Sequence, residues 1–182
     1  LLEHPEKAEG ANNIVIVGGG VVGCETAHWL ANEYGKNVTV LEMLPHFMMG
    51  VCTANRGHLL HYLEKSGVRL YNCTKVKALA KDGVYVEQNQ SQTVPDPYNT
   101  WQPLLPPNIP NPMEKAIKEE IVEKKIPADL IVLAMGGKAD ETFFFEAGEE
   151  HLAKEMYNIG DSSRAGRVLE AVRGAYHLAV RI

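Results

Sequence analysis

Three glycines and one acid are the residues of this sequence whose types and spacing most plainly specify chemistry. Gly18, Gly20 and Gly23 follow the apolar β-branched run Ile14-Val15-Ile16-Val17, and Glu42 closes a second apolar run, Val38-Thr39-Val40-Leu41. A buried strand that feeds a tight turn and then a helix aims the helix's N–H groups at an anion, with about half a positive charge at that end. In such a unit Gly18 makes the turn, Gly20 lets the backbone approach a pyrophosphate, and Gly23 lets helix and strand pack closely. Glu42 lies about 20 residues further on, where a carboxylate accepts the hydroxyls of an adenosine ribose. A 2′-phosphate there would meet like charge, at a cost on the order of 4 kcal/mol per pair at about 4 Å and an effective dielectric of about 20. Met43, Leu44, Pro45 and His46 include no Arg or Lys to hold such a phosphate, so NADH is expected rather than NADPH. Val21 and Val22, between the glycines, and Met43, after the acid, complete the candidate contacts. A packed strand–helix turn that binds nothing uses similar glycines and stays open as the alternative.

The elements that must position these residues read as an α/β fold, a Rossmann-like parallel sheet with helices on its faces. Val22, Ala27, Leu30, Ala31 and Tyr34 recur at helical spacing after the glycines, and Gly35 offers a C-terminal stop. Thr53 is placed to cap a second helix that runs to about Ser66, Gly67 to end it, and Val68 to Tyr71 to form a third strand. Val76 to Ala80 and Val84 to Glu87 flank Asp82-Gly83, which predicts a hairpin turn and hence a β-meander in place of a helix. Leu130 to Ala134 returns as a buried strand.

Seven prolines interrupt Ser91 to Pro112, which excludes regular helix or central strand. Tyr98, Trp101, Leu104 and Leu105 within it are too apolar for a simple linker and predict a surface excursion that docks on this domain or on a neighbour. Met113 to Ile121 then reads as a short amphipathic helix. Towards the end, Met156 to Asp161 reads as a short strand closing in Gly-Asp, and Val168 to Ile182 as a helix. The domain organisation expected is a linker over 1–11, an NAD-binding domain over 12–150 with the Pro-rich insertion 91–112, and a remnant of a second domain over 151–182.

The 182 residues have the size of one compact unit with a real core, and the net charge of −5 without a Lys/Arg stripe argues against nucleic acid or an anionic membrane surface. No apolar run has the length of a membrane span, the first ten residues lack the apolar core of a signal peptide, and a cytoplasmic protein is expected. Cys24, Cys52 and Cys73 are too far apart for a CxxC pair or for zinc or cluster ligation, and His58 and His61 sit among leucines of an ordinary helix. No metal site is expected. No residue is grouped for general acid or base work, so any chemistry falls to cofactors.

Gly18-Gly19-Gly20-Val21-Val22-Gly23-Cys24-Glu25 resembles the NAD half of two-dinucleotide flavoprotein reductases, and Ile159-Gly160-Asp161 resembles their FAD-contacting Gly-Asp motif. Glu42-Met43-Leu44-Pro45, Pro95-Asp96-Pro97-Tyr98-Asn99-Thr100-Trp101 and Tyr157-Asn158-Ile159-Gly160-Asp161 together look like the C-terminal region of clostridial-type 2-enoate reductases. Those are relatives of 2,4-dienoyl-CoA reductase and trimethylamine dehydrogenase, and the resemblance runs from about Asn12 to Ile182. It implies that NADH passes hydride to FAD, and that electrons then reach an iron–sulfur cluster and an FMN in a barrel that reduces an activated C=C bond. By the same resemblance Val76 lies beside adenine, Gly136 at the strand crossing toward flavin, and Asp161 on the FAD ribityl chain. One glycine fingerprint, no cluster cysteines and no barrel imply a fragment whose partners are the missing FAD domain and FMN barrel. Such a fragment would be inactive alone, bind FAD weakly, and could self-associate through 156–182. A stand-alone nucleotide-sensing or partner-binding domain, and a methyltransferase, are the alternatives.

Overall fold

The computed structural model describes residues 4–100, 105 and 109–182. Trp101 and Leu104 of the expected docking excursion lie outside the described residues. The chain divides into two compact units, 1–135 and 136–182; the sequence reading puts its boundary at 150/151.

The first unit begins with a helical turn, α1 (Glu6–Glu9), inside the stretch read as a linker, and buries Ala8 and Ala11. Four parallel strands follow in the spatial order β3 (Arg69–Tyr71), β2 (Asn37–Leu41), β1 (Asn13–Val17), β7 (Leu130–Leu133). Asp129 fixes where β7 starts: one carboxylate oxygen accepts the Asn12 and Asn13 backbone N–H groups at 3.0 and 2.8 Å. Helices α2 (Val21–Tyr34) and α3 (Thr53–Lys65) join β1 to β2 and β2 to β3. Three antiparallel strands, β4 (Thr74–Ala80), β5 (Gly83–Asn89) and β6 (Ile121–Pro127), form a separate sheet.

β1 is buried on both faces because each sheet face has its own cover, as expected of a central parallel strand. Ile14 and Ile16 join Cys24, Ala27 and Leu30 of α2 and Leu60 and Leu63 of α3 in one core. Val15 and Val17 point the other way, onto Val84, Val86 and Ile126 of the meander. The meander thus covers the face that a helix would cover in a simple repeat.

Several elements depart from the sequence reading. Met113 to Ile121 is not a helix: Ile121 begins β6, which pairs along all of β5. The tertiary partner decides this, since the Asn89 side chain accepts the Glu120 N–H at 3.0 Å and donates to the Lys118 carbonyl at 2.7 Å, steering the chain onto the open edge of β5. The hairpin loop is Lys81-Asp82 rather than Asp82-Gly83, because Gly83 already pairs with Ala80. Gly83 serves a close approach instead: at φ +154°, a Cβ there would lie 2.3 Å from the Ile126 carbonyl oxygen. Cys52, not Thr53, stands at the N-cap of α3. β7 is a half-buried edge strand rather than a fully buried one.

The second unit holds α4 (Thr142–Glu149), a 3-10 turn at Gly160–Ser162 and α5 (Val168–Ala179). Met156 to Asp161 is not a strand; among the described residues this unit has no other strand to pair with, and an unpaired strand leaves its backbone groups without partners. Apolar side chains of α5, Val168, Val172 and Tyr176, are exposed.

Gly83→Ala is expected to lower stability by about 1–3 kcal/mol in urea unfolding, because the methyl group must displace β6 backbone. A variant as stable as the parent would contradict this packing of β5 on β6.

Candidate functional site

The carboxyl ends of β1 and β2 meet at the turn Gly18–Gly20. Gly18 leaves β1 at φ +114°, and a Cβ on it would lie 2.3 Å from the Ala134 carbonyl oxygen. On Gly23 a Cβ would lie 2.0 Å from the Gly18 carbonyl oxygen. Both positions are therefore closed to side chains by backbone. Gly19, absent from the candidate residues, is equally constrained: its Cβ would lie 2.4 Å from the Phe47 ring and 2.8 Å from Glu42 Cβ. The glycine triplet was the trace of this in the sequence, but Phe47, fully buried beneath the turn, carries no motif.

Gly20 differs from the other three. Its backbone is extended, at φ −71° and ψ −178°, and among the described residues nothing lies within 4 Å of a Cβ built on it. It is the N-cap of α2, and among the described residues no side chain caps that end. Beside this opening Val22 stands 68% exposed and Met43 67% exposed, while Val21 packs against the core.

Glu42 ties the two strand ends together. Its Oε2 accepts the Gly19 N–H at 2.8 Å and its Oε1 accepts the Leu44 N–H at 2.8 Å. Its own backbone continues the sheet, donating to Tyr71 and accepting from Thr74, each at 2.8 Å. A carboxylate so held keeps lone pairs for further donors, such as vicinal hydroxyls. Met48 closes the loop by donating its N–H to the Gly19 carbonyl at 2.8 Å, from a left-handed backbone at φ +53°. His46 is half-buried, and burial, with Arg56 next, pulls its pKa below the ordinary value while Glu114 opposes.

The structure brings Gly18, Gly20, Val21, Val22, Gly23, Glu42 and Met43 to one edge of the first unit. Val76 is on β4, partly buried against the Val15–Val17 face, two residues past the Thr74 that bonds Glu42. Gly136, at φ +82°, and Asp161 belong to the second unit. There Asp161 Oδ1 accepts the Gly166 N–H at 3.1 Å and so organises the turn before α5. Among the described residues no cluster of His, Cys, Asp and Glu could hold a metal, and no helix is long and apolar enough to cross a membrane.

The profile of the pyridine nucleotide-disulphide oxidoreductase family matches residues 2–164. The chain belongs to this family. Membership of an oxidoreductase family leaves the methyltransferase alternative without support. The chain is 27% identical over 169 residues to an NADH oxidase of Thermoanaerobacter brockii, covering 93% of this chain and 21% of that protein. To a cinnamate reductase of Clostridium sporogenes it is 22% identical over 180 residues, covering 97% of this chain and 22% of that one. A solved 2-naphthoyl-CoA reductase, in complex with 2-naphthoyl-CoA, shares the fold at a TM-score of 0.68 and 24% identity, over 94% of this chain and 21% of its own. The chain therefore spans about a fifth of the length of these relatives.

Cys24 lies behind the turn as a structural thiol. It is fully buried and donates to the Gly19 carbonyl at 3.6 Å. Burial, reinforced by Glu42 and Glu25 and opposed by Arg56, pushes its pKa from 9.0 up to about 12. The unfolded thiol ionises first, so this contribution is intact below a pH of about 9 and is lost as pH rises toward about 12. Urea unfolding at about pH 8 and about pH 10.5 is expected to show an alkaline loss of up to ~1.4 kcal/mol per pH unit that shrinks in Cys24→Ala. Equal losses in both proteins would contradict the buried neutral thiol.

Proposed function

We propose that this chain is the NADH-binding part of a flavin-dependent reductase of the 2-enoate reductase type, acting on an activated C=C bond. Gly20 carries the nucleotide reading. Gly18, Gly19 and Gly23 are required by backbone or by Phe47, whereas the fold leaves room for a side chain at Gly20 among the described residues. A turn that served packing alone would gain from Ser, Asp or Asn at this N-cap. Glycine there suits a ligand whose phosphates must approach the backbone.

In this reading the N-terminus of α2 faces the pyrophosphate, and Glu42 accepts the adenosine ribose hydroxyls on lone pairs left over from Gly19 and Leu44. Its negative charge disfavours a 2′-phosphate. Val22 and Met43 cover the nucleotide, and Val76 lies toward adenine. When bound, NADH supplies the hydride and FAD receives it. Gly136 and Asp161 belong to the flavin side, and FAD, FMN and an iron–sulfur cluster to the parent enzyme, so this chain alone lacks an acceptor and is inactive. The three sequence blocks that resemble 2-enoate reductases support the substrate class, and the likeness to a cinnamate reductase agrees with an unsaturated carboxylate.

Calorimetric titration with NADH and NADPH, on the wild type and on Gly20→Ser, tests the reading. The wild type is expected to prefer NADH. Gly20→Ser is expected to fold with stability changed by no more than about 0.5 kcal/mol, since Ser caps helices well, yet to bind NADH about tenfold more weakly or worse, a loss of about 1.4 kcal/mol. Unchanged NADH affinity in the variant, or no binding by the wild type, would overturn it.

A further inference from the structure

Two buried polar side chains each join the same two irregular segments. Asn72, 5% exposed, donates from its amide nitrogen to the Pro45 carbonyl at 2.7 Å and to the Pro95 carbonyl at 2.8 Å. Arg56, 3% exposed, donates from Nε to the Phe47 carbonyl at 3.0 Å and from Nη1 to the Asn99 carbonyl at 3.4 Å. Each therefore spans from the loop that follows Glu42 to the proline-rich segment 91–100. Neither side chain belongs to the segments it joins.

The proline-rich segment is itself seated on the parallel sheet. The Tyr98 hydroxyl donates to the Val68 carbonyl and accepts the Leu70 N–H at 3.2 Å, and the Tyr98 ring packs against the core. Thr100 lies in van der Waals contact with the position of a Cβ on Gly57 of α3. On the other side, the loop reaches the glycine turn through Met48, whose N–H meets the Gly19 carbonyl, and through Leu44, whose N–H shares the Glu42 carboxylate with Gly19. Met48 is buried at φ +53°, a conformation that a non-glycine residue holds only when its surroundings impose it. Apolar side chains could have filled the space beneath the loop, but only directional donors fix the position of particular carbonyls.

We infer that residues 91–100 act as a clamp: through Asn72 and Arg56 they hold the loop 43–50, and through Met48 the glycine turn, in the shape that receives the nucleotide. Asn72 and Arg56 are positioning residues. The ligand half of this inference rests on the NADH reading above; the mechanical half does not.

Amide hydrogen exchange at Gly19, Leu44 and Met48, referenced to amides of the β4–β5 hairpin in the same sample, tests the clamp in wild type, Asn72→Ala and Arg56→Lys. The lysine variant keeps the charge but has no fork to reach two carbonyls. Titrations with NADH, AMP and nicotinamide mononucleotide accompany each. Exchange at the three amides is expected to speed by about tenfold or more relative to the hairpin, with NADH and AMP weakened by a similar factor and the mononucleotide changed less, as loss of one or two buried hydrogen bonds allows. Unchanged relative exchange in a folded variant overturns the clamp, and if Asn72→Ala does not fold, Arg56→Lys decides. Faster exchange with unchanged NADH affinity overturns the ligand half. Failure of the wild type to bind NADH sinks the nucleotide reading instead, and exchange still decides whether the clamp exists.

Discussion

The carboxylate of Glu42 is the contact on which the candidate site depends. Each of its oxygens takes one backbone N–H, from Gly19 in the turn after β1 and from Leu44 in the loop after β2, so one side chain sets two strand ends at a fixed spacing. Hydrogen bonds from neutral donors to a carboxylate are roughly twice as strong as neutral pairs, and these two partner N–H groups of two irregular backbone segments. The glycines beside that contact are closed by different neighbours. Gly19 is pressed between the Phe47 ring and Glu42 Cβ, Gly18 against Ala134 and Gly23 against Gly18, while a Cβ on Gly20 would meet nothing within 4 Å among the described residues.

Around that contact the first unit is built to keep two adjacent strands still. β1 is covered on one face by α2 and α3 and on the other by the meander, so its apolar run is buried throughout. The β3–β4 connection extends the same support past the end of β2, because Thr74 donates to the Glu42 carbonyl and Cys73 to the Leu44 carbonyl. Cys24 adds a neutral donor under the turn, at a place where an ionised sulfur would face Glu42. These contacts hold the backbone of the glycine turn in place, and Val22 and Met43 stand exposed beside it.

What was legible in the sequence was whatever local pattern dictates. The run Ile14 to Val17, the glycines and the helical spacing to Leu30 gave β1, the turn and α2, because these residues interact mainly with sequence neighbours or with a core that any apolar strand seeks. The strand Ile121 to Pro127 was not legible: the apolar spacing of Met113 to Ile121 suggested a helix there, and the edge of β5 together with Asn89 decides otherwise. Asp82-Gly83 pointed to the right hairpin but the wrong residue pair, since Gly83 answers to the Ile126 backbone and not to the turn. Met156 to Asp161 had the look of a strand but, among the described residues, no strand pairs with it. Phe47, Asn72 and Arg56 could not be found at all, because a buried aromatic, amide or guanidinium announces no spacing, and their roles exist only once the chain has brought four segments together.

Membership of the pyridine nucleotide-disulphide oxidoreductase family gives the chain its class, and the constellation at the ends of β1 and β2 is the candidate site we propose for the nucleotide. The central claim is that the Glu42 carboxylate both shapes the turn and selects the ribose. The ratio of NADH to NADPH affinity in Glu42→Gln, measured by calorimetry beside the wild type, tests it most directly. Glutamine keeps the length of the side chain but has one acceptor oxygen and no charge, so the account predicts that NADH weakens and that the preference over NADPH falls by about tenfold or more. A preference for NADH as large as that of the wild type would contradict it.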